Sequence, residues 1–125
     1  MAKRLFVSFA IEDRTYRDLL KGQALNVNTP FEYIDMSAKQ PWDSAWKTNC
    51  RIRIKGCDGV IALISRNTLQ ADGARWEIQC AAEERIPMIG VYIHAGDQGT
   101  LPPELYGYRV IPWTWAGIEA FINSL

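Results

Sequence analysis

The chain has 125 residues, 48% of them hydrophobic and 22% charged, enough to bury the core of one soluble globular domain. Fourteen basic and fourteen acidic side chains cancel, so no net positive field marks a binder of nucleic acid or of an anionic membrane. No apolar run approaches the roughly 20 residues that cross a bilayer, and MAKRLFVSFAIEDR lacks the apolar core of a secretory signal. A cytoplasmic location is expected.

The elements follow in chain order. RLFVSFA (4–10) is a short apolar run that reads as a buried strand. EDRTYRDLLKGQ carries Tyr16, Leu19 and Leu20 at helical spacing and stops near Gly22. FEYID (31–35) alternates and predicts a second strand nearer the sheet edge. Gln40-Pro41 then opens a helix, with Trp42, Trp46, Cys50 and Ile54 as one apolar stripe. GCDGVIALIS (56–65) is the clearest strand, uninterrupted from Val60 to Ile64, as suits a central parallel strand covered on both faces. A helix over about 72–85 follows, with Asp72 placed to cap it. Then come strands in PMIGVYIH (87–94) and YRVIPW (108–113) and a closing helix over 114–125. No repeat or linker divides the chain, so 1–125 reads as a single domain.

Strand and helix alternation predicts an α/β three-layer sandwich, flavodoxin-like, with a five-stranded parallel sheet in the order 2-1-3-4-5. Ligands of such sheets bind outside the carboxyl ends of the strands, at the switch point between the first and third. Residues 8–13, 35–42 and 65–77 are expected to converge there.

Cys50, Cys57 and Cys80 are odd in number and lack CxxC or metal spacing, so reduced, buried thiols are expected. His94 is the only histidine, which excludes a His-rich metal site. At the predicted edge, Ser8-Phe9-Ala10 offers a small polar group and an aromatic that could stack a flat ring, although Phe9 as plain core explains it better. Asp35-Met36-Ser37 could bond ribose hydroxyls or equally make a turn. Ser65-Arg66-Asn67-Thr68 carries little weight. Glu77 lies at the border of the apolar face drawn by Ala74, Ile78, Ala81 and Ala82. Spacing alone makes it a boundary residue helped by the helix dipole rather than a reactive acid.

Taken in order, FVSFAIED, FEYIDMS, PWDSAWKTNCRIRIKGCDGVIALISRNT and RWEIQCAAEERIPMIGVYIHAG resemble the TIR-like family of prokaryotic Thoeris anti-phage systems, over about residues 4–96. The resemblance implies an enzyme that cleaves NAD+ between nicotinamide and ribose, an NAD+ glycohydrolase or ADP-ribosyl cyclase. NAD+ is its substrate, and neither a cofactor nor a metal is implied. The family's glutamate stands in a Trp-Glu-Ile context, matched by Trp76-Glu77-Ile78, so the resemblance assigns catalysis to Glu77. It assigns substrate binding to Ser8, Phe9, Ala10, Asp35 and Ser37, with Trp46 and Trp76 in the same set. It further implies an ADP-ribose-type signal, cyclic in many members, that acts on a separate effector protein, together with TIR–TIR self-association. Classical catalytic TIR sequences often place a tryptophan four residues before the glutamate, and many TIR-like relatives precede it with a Ser-x-Trp-Val-type stretch; here residue 73 is Gly.

Three other readings share the fold. A non-catalytic TIR-like interaction module would leave Asp35, Ser37 and Glu77 without a common task. A nucleoside 2-deoxyribosyltransferase would also use a glutamate. A phosphoacceptor receiver domain needs an aspartate ending the third strand and a lysine ending the fourth, where this chain has Ser65 and His94. If Glu77 is catalytic, Glu77→Gln is expected to end turnover and spare thermal stability.

Overall fold

The computed structural model describes residues 3–24, 31–34 and 39–125. Five strands, β1 (Lys3–Ser8), β2 (Phe31–Ile34), β3 (Gly59–Ile64), β4 (Met88–Tyr92) and β5 (Val110–Pro112), form one sheet in the order β2-β1-β3-β4-β5. Every pairing is parallel, with Ser8 opposite Ala62 at the end of the β1–β3 ladder. The helices are α1 (Arg14–Ala24), α2 (Ser44–Lys55), α3 (Asp72–Glu83) and α4 (Trp115–Asn123). The expected flavodoxin-like architecture is the one observed. Among the described residues no helix is long and apolar enough to cross a membrane.

The sheet has a core on each face, and strand alternation decides which side chain joins which. Leu5, Val7 and Phe9 pack with Leu20 of α1 and Ile118 and Ile122 of α4. Phe6 packs on the opposite face with Trp46, Cys50 and Ile54 of α2 and Ile78 and Ala81 of α3. All six residues of β3 are buried, as an apolar run without alternation requires. Ser8 shares the parity of Phe6 and so points toward α3.

Two helix starts differ from the expectation. α2 begins at Ser44 rather than at Pro41, because the Asp43 side chain accepts from the Ala45 and Trp46 N–H groups at 2.8 and 3.2 Å. That cap leaves Pro41 and Trp42 in the preceding turn. Trp42, expected in the apolar stripe, is 79% exposed, while Trp46, Cys50 and Ile54 are buried. At the start of α3 the capping position is Ala71 and makes no side-chain bond; Asp72 is the first helical residue and contributes its charge to the first turn. The same helix stops at Glu83 because Arg85 takes a φ of 57° and the N–H of Ile86 donates back to the Ala81 carbonyl at 3.0 Å.

Candidate functional site

The β1–α1 and β3–α3 connections and the approach to α2 meet at the carboxyl edge of the sheet, as the switch-point rule expects. They enclose a cavity of about 220 Å³. One wall is Phe9 to Glu12, another is Lys39, Pro41 and Trp42, and the third runs from Gln70 to Ala74. Pockets that engulf a whole drug-sized ligand measure about 300–1,000 Å³. This one is smaller.

Glu77 lies against this edge and is 0% exposed. Its expected place at the border of the helix face is corrected by the packing: Gly73, Ala74, Glu77, Ile78, Cys80 and Ala81 are all buried. The face that α3 turns inward is wider than the four apolar residues outline, because the small Gly73 and Ala74 let α3 approach closely. An unpaired carboxylate in that position would be prohibitively costly. Glu77 is instead well supplied with donors. Lys39 Nζ donates to Oε1 and Oε2, each at 2.9 Å. The Ser8 hydroxyl donates to Oε1 at 2.9 Å and also approaches the Ala74 carbonyl at 3.2 Å. Cys50 Sγ stands 3.9 Å from Oε2. Burial, and then the Glu77 charge, push the Cys50 thiol far up, so it stays protonated and can donate. A buried ion pair is tolerable only with geometry of this quality and with the remaining lone pairs satisfied.

The Lys39 side chain is 6% exposed. Its ammonium lies 4.1 Å from the centroid of the Phe9 ring as well as on Glu77. The Arg17 guanidinium is a second cation on that ring, at 4.9 Å. Phe9 is therefore both core, as its burial shows, and part of the cavity wall. Gly73 has a steric reason. A Cβ built there would stand 2.6 Å from Lys39 Cβ and 3.2 Å from its Cγ. The Lys39 side chain crosses the space that a side chain at position 73 would need.

A second polar group braces the same edge. Asp13 is buried; its carboxylate accepts from the Ser65 hydroxyl and, at 3.0 Å, from the Asn67 amide. Thr68 Oγ1 accepts from the Ser65 N–H at 2.9 Å. These bonds tie the β1–α1 connection to the β3–α3 connection. The Ser65–Thr68 segment, given little weight on sequence, is thus a structural clamp on two walls of the cavity.

Ser8 and Glu77 are bonded directly, Phe9 meets Glu77 through the Lys39 ammonium, and Ala10 joins Phe9 in the cavity wall. Asp35 and Ser37 lie outside the described residues. Trp46 and Trp76 pack on each other between α2 and α3, with ring centroids 5.3 Å apart, and neither lines the cavity. Trp76 also lies beneath Arg51, 5.6 Å from its ring, and Arg51 pairs with Glu83 and Glu84. Arg75 anchors the other flank of α3 to Glu104 through two 2.9 Å bonds and holds that carboxyl below its ordinary range.

Lys39, Cys50 and Asp13 are the site residues that sequence reading missed. For Cys50 the sequence predicts a place in the α2 stripe and a reduced, buried thiol, with no link to Glu77. Lys39 has no periodic signal. A glutamate on the inward face of α3 requires a cation, but Arg66 and Arg75 fall in the segments predicted to reach the carboxyl edge as well as Lys39, so the sequence does not single it out.

No curated protein matches the chain. Among solved structures it is similar to the TIR domain of the Toll-related receptor TRR-2 from the lower metazoan Hydra magnipapillata. That match has 12% identity and a TM-score of 0.69, covering 95% of this chain and 97% of that one. At such identity the likeness speaks for the fold. The family model described as "Thoeris protein ThsB, TIR-like domain" matches residues 6–98, a span that holds Ser8, Phe9, Lys39, Cys50 and Glu77. By that match over most of its length, the chain belongs to the TIR-like domain family of the Thoeris protein ThsB.

Proposed function

We propose that this protein consumes NAD+, with Glu77 as the catalytic carboxylate, and releases an ADP-ribose-type product, cyclic in form, as an anti-phage signal to a separate effector. The observation that carries the reading is a fully buried carboxylate beside a cavity at the switch point of the sheet, met there by a cation that also lies over an aromatic face. Burial without function is an expensive arrangement for a glutamate, and buried acids with a specific charge partner in a cleft gather at functional sites.

The chemistry suits a single carboxylate. The pyridinium nitrogen of NAD+ takes both electrons of the glycosidic bond, so nicotinamide leaves as a neutral molecule without general acid assistance. The ribose is left with oxocarbenium character at C1′, the charge that glycosidase carboxylates also face. Glu77, held in place by Ser8, offsets that charge and bonds the ribose hydroxyls, the dominant electrostatic contribution to the rate. Asp35 and Ser37 bind ribose hydroxyls in this reading. Attack by water, with loss of its proton, gives ADP-ribose; attack by a hydroxyl of the same molecule gives a cyclic isomer. NAD+ is a substrate throughout, and self-association of TIR surfaces completes the site.

The test is mass spectrometry of the purified protein incubated with NAD+, with and without lysate of phage-infected cells, and with deoxynucleosides offered in parallel. Nicotinamide release by the wild type and none by Glu77→Gln is expected. Consumption of deoxynucleosides in place of NAD+, or an equally active Glu77→Gln protein, refutes the assignment.

A further inference from the structure

We infer that Phe9 and Glu77 form a cation subsite which Lys39 fills, so that the positively charged end of a substrate must displace the Lys39 ammonium to reach the carboxylate. The inference rests on the reading of Glu77 as the residue that meets NAD+. Its warrant is geometric. Glu77 is completely covered although a cavity adjoins it, and Lys39 lines that cavity while its ammonium sits on both carboxylate oxygens. The same ammonium lies 4.1 Å from the Phe9 ring centroid. A carboxylate and an aromatic face converging on one point are what a pyridinium ring, or a ribosyl cation, would also require. Lys39 therefore acts as a built-in competitor for the subsite.

Gly73 makes the arrangement sterically feasible, since any Cβ there would meet Lys39 Cβ at 2.6 Å. Two substitutions should then have one outcome by different routes. Lys39→Ala removes the competitor; Gly73→Ala keeps it and drives it off its seat. A subsite filled by its own lysine nine-tenths of the time or more lowers apparent affinity about tenfold or more. The effect belongs chiefly in KM, because the competitor leaves before chemistry begins.

Kinetics at pH 8.5 on wild type, Lys39→Ala, Gly73→Ala and Glu77→Gln, each checked for folding by circular dichroism, provide the first arm. A KM for NAD+ at least about tenfold lower in Lys39→Ala and Gly73→Ala supports the inference. An unchanged or higher KM in the folded variants, with wild type active and Glu77→Gln inactive, overturns it and leaves the NAD+ reading standing. Absence of nicotinamide release from all four proteins, with and without lysate of phage-infected cells, refutes that reading, and the inference falls with it. The second arm needs no variant and no turnover: amine acylation of the wild type, read at each lysine by mass spectrometry. Lys39 is expected to react slowest and to be exposed by 1-methylnicotinamide, a pyridinium cation without a ribose, but not by neutral nicotinamide. Equal acylation of Lys39 with either compound overturns the inference.

Discussion

The Lys39–Glu77 pair makes a definite prediction about stability. Glu77→Gln keeps the shape of the side chain and an acceptor for the Ser8 hydroxyl, but leaves the Lys39 ammonium, 6% exposed, without its countercharge. Lys39→Met leaves a fully buried carboxylate with its principal cation gone. Removing one partner of a buried pair costs about 3–5 kcal/mol. The cavity beside Lys39 allows some relief, so each single substitution should cost about 3 kcal/mol, or roughly 12 °C in Tm for a chain of this length. The double variant Lys39→Met/Glu77→Gln buries no charge and should be no less stable than either single one. The coupling energy is then about 3 kcal/mol. Urea unfolding of the four proteins, followed by tryptophan fluorescence, measures it. Additive costs, with coupling within about 0.5 kcal/mol of zero, would refute the pair as a stabilising unit. The expectation that Glu77→Gln spares stability changes accordingly: a fall in Tm follows from the buried pair, whether or not Glu77 is catalytic, so nicotinamide release has to decide its role.

Other outcomes follow from the same geometry. Trp42→Ala should leave stability within about 0.5 kcal/mol, since the ring is 79% exposed. Loss of a base-stacking platform at the cavity mouth should raise KM for NAD+ by about fivefold or more. Burial pushes the Cys57 and Cys80 thiols up to about 11 from an ordinary 9.0, and Cys50 higher still. Iodoacetamide at pH 8 should therefore label none of the three in the folded protein and all of them in urea. Because the unfolded thiols ionise first, their contribution to stability is complete below pH 9.0 and is lost as the pH rises through about 11. Glu104 shows the opposite sign. The Arg75 guanidinium depresses its carboxyl below the ordinary 4.5, so its contribution is present above that pH and is lost as the pH falls through the lowered value. Glu104→Gln should flatten the acid limb of a Tm-against-pH curve.

The sheet was legible because its signals are local. Val60 to Ile64 has no polar interruption, which a strand covered on both faces requires, and the alternation of 5 to 9 assigns Ser8 to the side of α3. Helix starts were less legible where two local signals competed. Pro41 is acceptable in a first turn, but Asp43 bonds two N–H groups that nothing else satisfies, and the cap prevails. The site was half legible. Ser8, Phe9 and Glu77 could be placed at one edge from the switch-point rule. Lys39 could not be singled out there, because its role is defined by a partner 38 residues away and by no pattern near it.

Gly73 and Lys39 are best understood together. A glycine in a helix costs about 1 kcal/mol relative to alanine, and its loss of conformational freedom has no compensation in local structure. The compensation is across the cavity, where the lysine side chain takes the space that any Cβ would fill. The missing side chain at position 73 and the reach of Lys39 onto the glutamate therefore go together. This arrangement keeps the fold, since Asp72 and the buried Ala74, Ile78 and Ala81 still define α3. What it alters is access to Glu77. If Gly73→Ala leaves both Lys39 acylation and KM as they are in the wild type, the two positions are independent and the glycine needs another cause. Matched changes in the two variants identify position 73 as the place where this chain sets how readily its carboxylate is uncovered.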